Sequence, residues 1–222
     1  MRKLVLSNAI AVYIFPLFVS IAIYIDSRRQ SETNCLQDKL FKWMLLINSI
    51  LLVFSPITVA YDGLPGKISA TIAITANIIV YCGTVVVVSL WGLYVNYQIY
   101  HSLRYVKKAI LSISPFVFVE VVMTILSPYT GWFFYLDASN IYHRGNLFAI
   151  HAIINLGLLI SAIIFLYHKR KNIRSRYFSA LVFFAVPPLI LSILQTLFYG
   201  LELIWGGITV SLLIIYHGYA LD

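Results

Sequence analysis

Glu120 is the carboxylate inside an apolar run, Ala109–Leu126, and His151 is the imidazole near the start of the next, Leu147–Tyr167. Placing a carboxylate at mid-depth in hydrocarbon costs at least ~2.5 kcal/mol, so a chain that keeps one there is using it for a ligand, a proton or a partner side chain. A Glu/His pair can share a proton, but two groups are too few for a metal centre. The sequence holds no Ser/His/Asp set, no HExxH and no paired aspartates, so it is not read as an enzyme, and no metal or cofactor is expected. Further polar and aromatic side chains recur at helical spacing. Asn155 follows His151 by one turn, and Asn77, Tyr81, Thr84, Val88 and Trp91 form one stripe. Ser192, Gln195 and Tyr199 share a face in a later run, as do Trp205, Thr209 and Tyr216 in the last. Such faces turn away from lipid, which cannot hydrogen-bond them, and serve either as a site or simply as glue between helices.

The elements that must position these residues follow from composition. Of 222 residues, 61% are hydrophobic and 11% charged, with a mean hydropathy of +0.89, too little polar surface to cover a soluble globule. The apolar material comes in blocks of about 20 residues, the length of a helix crossing about 30 Å of hydrocarbon, and not in the short alternating segments of a barrel. The expectation is an all-α, multi-pass bundle of the plasma membrane with seven spans: Leu4–Ile25, Leu40–Ala60, Ile68–Tyr94, Ala109–Leu126, Leu147–Tyr167, Phe178–Tyr199 and Ile204–Tyr219. Met1–Ile25 has a charged start and a long apolar run without a small-residue cleavage site, and reads as a retained first helix.

Twelve of the 16 Lys and Arg residues fall at connectors one, three and five, leaving Arg2, Lys3, Lys67 and Arg144 on the other side. The positive-inside rule then puts the N-terminus outside and the C-terminus in the cytoplasm, with Arg2 and Lys3 a small opposing term. A net charge of +8 carried on short connectors points to anionic lipid and the bilayer, with no nucleic-acid partner. Cys35 and Cys82 are separated by the membrane and predict no disulfide.

Ser127–Asn146 is the substantial connector on the sparsely charged side. Trp132, Phe133, Phe134, Tyr135 and Tyr142 around an Asp137–Asn140 turn predict a short hairpin with an aromatic face, either a lid over a site or a face resting in the interfacial belt. Pro187-Pro188 predicts a bend in the sixth span, static or hinged, and Gly206-Gly207 a close approach in the seventh. No internal repeat relates the first spans to the last, a feature many transporters would carry.

Three stretches together are similar to the seven-helix N-terminal sensor regions of bacterial diguanylate cyclases of the GGDEF type and of related histidine kinases. They are LWGLYVNYQIYHSLRYVKK (Leu90–Lys108), FFYLDASNIYHRG (Phe133–Gly145) and the run from Gln195 through Tyr199-Gly200, Trp205 and Gly207 to Tyr216. The resemblance implies a sensor covering residues 1–222 as one domain. It also implies that the last helix passes a signal to a cytoplasmic output domain beyond Asp222 or on a partner, with a possible homodimer.

At about 1.5 Å per residue, Glu120, His151 and Gln195 lie roughly 6–9 Å inside the ends of their spans, a common level that Trp205 would join, with Asn155 and Asn77 beneath. The expected ligand-binding set is therefore Glu120, His151, Asn155, Gln195, Tyr199, Trp205, Asn77 and Tyr81. It would take a small extracellular molecule with an apolar body and a hydrogen-bonding or cationic group. Two alternatives stand beside it: a transporter of ions or small molecules working through Glu120, and a Glu120–His151 pair that only ties two helices together. The charge asymmetry makes a direct prediction. With Cys35 and Cys82 replaced by Ser, Ser139→Cys labels from outside intact cells and Lys171→Cys labels only after permeabilisation; the opposite pattern inverts the topology.

Overall fold

The computed structural model describes residues 2–30, 35–173, 175–197 and 203–220. They form seven α-helices and one small hairpin: α1 (Arg2–Gln30), α2 (Leu36–Tyr61), α3 (Lys67–Tyr100), α4 (Leu103–Thr130), β1 (Phe134–Leu136), β2 (Tyr142–Arg144), α5 (Phe148–His168), α6 (Ser175–Leu197) and α7 (Ile204–Ala220). Among the described residues, α2, α3, α4 and α5 are long and apolar enough to cross a membrane, while α6 and α7 hold shorter apolar stretches, Tyr177–Leu191 and Ile204–His217.

The helices run past the ends that hydropathy predicts. α3 continues from Tyr94 to Tyr100 and α4 begins at Leu103, so Arg104, Lys107 and Lys108 stand on helix and not in a basic loop. Hydropathy marks the hydrocarbon, whereas Lys, Arg and Gln are good helix formers that carry a helix on into the headgroup layer. What separates α3 from α4 is His101–Ser102, where His101 adopts φ 47° and its N–H bonds the Tyr97 carbonyl at 2.7 Å. Gly131, at φ 66°, ends α4 in the same way on the Ser127 carbonyl.

The aromatic connector folds as the hairpin its sequence predicts, with Phe134 opposite Arg144 and Leu136 opposite Tyr142. Asp137 Oδ1 accepts the N–H groups of Ser139 and Ile141 at 2.8 and 3.0 Å, an Asx turn closed by Asn140 at φ 60°. The hairpin is clasped to the α2–α3 connector. Gly63 N donates to the Asn140 carbonyl, Asn140 Nδ2 donates to the Leu64 carbonyl, and Tyr142 N donates to Asp62 Oδ1, at 2.7–2.8 Å. These two connectors therefore share one end of the bundle.

A continuous apolar core joins α1, α2, α3, α5, α6 and α7 through residues such as Leu45, Leu51, Trp91, Leu166, Phe184 and Leu212. Trp91 stacks on Phe184 with ring centroids 5.3 Å apart. α6 stays helical through Pro187 and Pro188, and α7 presses on it there: a Cβ at Gly207 would sit 3.4 Å from the Pro187 carbonyl carbon. α4 stands outside this core. It buries Val106, Glu120, Thr124 and Ser127 and turns Leu111, Phe116 and Phe118 outward.

Gly145 tests the junction between hairpin and helices, because a Cβ there would drive into the backbone carbonyls of Gly131 and Trp132. Gly145→Ala lowers stability by about 1–3 kcal/mol as an overpacking change against rigid backbone. Gly157→Ala, on an open face of α5, is neutral or gains up to about 1 kcal/mol of helix propensity. Thermal unfolding in detergent distinguishes the two; equal effects would mean that the junction is not close-packed.

Candidate functional site

Glu120, Thr124 and Ser127 follow i, i+4, i+7, so α4 presents one polar stripe inward. Ser127 spans the junction to the hairpin: its Oγ donates to the Met123 carbonyl at 2.7 Å and accepts the Phe133 N–H at 3.0 Å. Across from the stripe, α5 supplies His151 and, one turn on, Asn155. His151 Nδ1 bonds Glu120 Oε1, and the Asn155 amide nitrogen stands within hydrogen-bond distance of the same Oε1 at 3.3 Å, of His151 Nδ1 at 3.2 Å and of the His151 carbonyl at 2.9 Å.

Glu120 is 0% exposed. Its second oxygen, Oε2, and the Asn155 carbonyl oxygen Oδ1 are buried without a hydrogen-bond partner among the described residues. Two oxygen acceptors are thus left facing protein where a donor or a cation would satisfy them, since a buried acceptor without a partner costs about 1–3 kcal/mol. The Cys82 thiol, from α3, lies beside Thr124 and within electrostatic reach of Glu120.

Aromatic rings wall the imidazole. Tyr81 lies 4.6 Å from it, Phe133 5.6 Å and Phe148 5.7 Å, centroid to centroid. Tyr81 also stacks on Phe134 at 5.2 Å and bonds its hydroxyl to that of Tyr142 at 2.6 Å, so the hairpin roofs the site through this one residue of α3. Phe133 and Phe134, at the start of the hairpin, are fully buried and form the underside of the roof. The negative faces of such rings favour a cation, while their edges and bodies favour apolar contact. Arg144 closes the rim over the Phe148 ring at 4.7 Å.

Of the residues selected from the sequence, Glu120, His151, Asn155 and Tyr81 come together. Asn77 is buried one turn from Tyr81, but its amide donates to the Ala73 carbonyl of its own helix at 2.8 Å. Trp205 goes elsewhere. Its indole N–H donates to Ser55 Oγ at 3.2 Å, in a second polar seam where Asn48 Nδ2 donates to Thr209 Oγ1 at 2.8 Å and Ser20 bonds Ser49 at 2.9 Å. That seam joins α1, α2 and α7; equal depth along a helix axis does not say which neighbour a side chain faces. Tyr199 and the side chain of Gln195 lie outside the described residues. Thr124, Ser127 and Cys82 were not selected, although the helical repeat from Glu120 points to the first two. No family model matches the chain, and no curated protein matches it.

The hairpin that roofs the site carries its own ionic contact, His143 Nε2 to Asp137 Oδ2 at 2.9 Å. The hydrogen bond from His143, with those from the Ile141 and Ser139 N–H groups, holds the Asp137 carboxyl below its ordinary range. A depressed folded pKa contributes stability above the unfolded value, and that contribution is lost as pH falls through the depressed one. The amides of Ser139 and Ile141 therefore stay protected from hydrogen exchange near neutrality and lose protection below the ordinary carboxylate range. Asp137→Asn, which keeps an oxygen for the turn, flattens this acid dependence; an unchanged profile in the variant would place its origin elsewhere.

Proposed function

We propose that the chain is a transmembrane sensor domain: one seven-helix unit in the plasma membrane, N-terminus outside and C-terminus cytoplasmic, that binds a small extracellular ligand around Glu120, His151 and Asn155. The observation that carries this reading is the pair of buried acceptors, Glu120 Oε2 and Asn155 Oδ1, left without donors in an aromatic-walled site. A ligand with an apolar body and a hydrogen-bond-donating or cationic group supplies what they lack. The hairpin is its lid, since the site is covered by Phe133, Phe134 and Tyr81.

The signal leaves through α7 to a cytoplasmic output domain of diguanylate cyclase or kinase type, beyond Asp222 or on a partner, with a homodimer pairing two such outputs. The resemblance of the sequence to GGDEF-associated sensors motivates this part. The packing offers a route. α3 carries Tyr81 at the site and Trp91 against Phe184 of α6, and α6 meets Gly207 of α7 at Pro187. At the far end the Tyr216 hydroxyl donates to the Asp26 carboxylate, and its ring stacks on Phe41 at 6.3 Å, a latch that a second state would have to rearrange. Ligand shifts the output only through unequal affinity for the two states.

The test is a thermal-shift screen of amphiphilic amines against neutral alcohols of matched shape, on purified protein. Glu120→Gln keeps the shape and removes the charge, and it weakens an amine by about tenfold or more while sparing a neutral binder, in line with about 1.5–3 kcal/mol for a hydrogen bond to a charged group. If Glu120→Gln, His151→Ala, Asn155→Ala and Gln195→Ala all leave the response of a folded protein intact, the pocket is elsewhere. Solute flux into proteoliposomes that depends on Glu120 would favour the transporter.

A further inference from the structure

We infer that the first turns of α4 bind the headgroup of an anionic phospholipid, with Arg104, Lys107 and Lys108 on its phosphate, Leu111 against its acyl chains and Leu103 at the outer edge of the groove. These five residues line an open groove of about 460 Å³. Positions 104, 107, 108 and 111 follow i, i+3, i+4, i+7, so three cations and a leucine occupy one stripe of the helix.

The arrangement lacks its counter-charge. Like charges three and four residues apart repel, and α4 has no acidic residue in its first turn to offset them. Among the described residues the ion pairs are His143–Asp137 and His151–Glu120, and neither involves this cluster. Lys108 finds only the Tyr105 ring, at 5.9 Å. Ser102, at the N-cap, makes no side-chain capping bond, so the N–H groups of the first turn also face outward for an anion.

The apolar half of the groove selects the source of that anion. Leu103 is 61% and Leu111 75% exposed, on a helix apolar enough to cross a membrane. Free phosphate has no use for Leu111, which lies on the hydrocarbon side of the three cations, whereas a phospholipid brings phosphate and acyl chain in that order. Depth agrees. A helix of 28 residues is about 42 Å long against about 30 Å of hydrocarbon, which leaves roughly two turns for the headgroup layers. With Thr130 at the hairpin end, Arg104–Lys108 is the segment at the opposite interface, and the long stems of Lys and Arg reach along the apolar surface to the headgroups.

The experiment is native mass spectrometry of the full chain in detergent, titrated with phosphatidylglycerol or phosphatidylcholine. The wild type retains phosphatidylglycerol at least about tenfold more tightly. Arg104→Gln with Lys107→Gln and Lys108→Gln loses that preference, while Lys169→Gln with Arg170→Gln and Lys171→Gln, which removes as much charge from the same end, keeps it. Leu111→Ser leaves the charges in place and still lowers retention. Equal loss in both triple variants would reduce the effect to diffuse attraction and overturn the site. No lipid preference in the wild type would overturn it too. Displacement of the lipid from the wild type by millimolar inorganic phosphate, with Leu111→Ser unaffected, would show an ion site and not a lipid site, whether or not the triple variant folds.

Discussion

The contact between Glu120 and His151 is the buried polar tie between α4 and α5, beside the packing of α4 along α3. Helices in lipid gain little from burying apolar side chains against one another, because lipid tails are as apolar as leucine. α4 illustrates the consequence: of its 28 residues only Val106, Glu120, Thr124 and Ser127 are buried, and three of the four are polar. Along that buried line Glu120 meets α5 and Ser127 accepts the Phe133 N–H of the hairpin, while the length of α4 packs along α3. A buried pair of this kind is asymmetric in its energetics. Removing one partner costs about 3–5 kcal/mol, since the other is left buried and unpaired, while the intact pair adds little net stability.

The rest of the site depends on that pairing through Tyr81. The ring lies against the imidazole on one side and the buried hairpin phenylalanines on the other, and its hydroxyl reaches Tyr142. His151 therefore touches the roof twice, through Tyr81 and directly through Phe133 of the hairpin connector. The roof in turn is fastened to the α2–α3 connector by Asp62, Gly63 and Leu64. Two separate loops are made into one rigid cap by backbone hydrogen bonds that a water-facing loop would otherwise give to solvent.

What was legible in the sequence was whatever a strong local rule governs. The helical bundle followed from hydropathy, the hairpin from an Asx-type turn flanked by aromatics, and the Glu120–His151 pair from the cost of an isolated carboxylate in hydrocarbon. Helix ends were not legible, because the pattern that marks them is the membrane's thickness and not the helix's own capping. Nor was the place of Trp205: the repeat fixes which residues share a face but not which helix that face meets, and α7 turns it to Ser55 of α2. Thr124 and Ser127 were readable from the spacing after Glu120, but neutral hydroxyls carry no burial penalty large enough to single them out. Cys82 was not, since its nearness to Thr124 arises only because α3 packs against both α4 and α5.

α3 has one further consequence. From Ile68 to Tyr100 it carries no charged residue, and its 34 residues make a rod about 51 Å long. No bilayer of ordinary thickness accommodates such a rod upright within its hydrocarbon, so in a membrane it leans, or thickens the lipid around it, or projects its last aromatic turns beyond the core. Tyr81 and Trp91 ride on that rod, one at the roofed site and one in the central core. The thickness of the bilayer therefore bears directly on the tilt of the one helix that carries both residues.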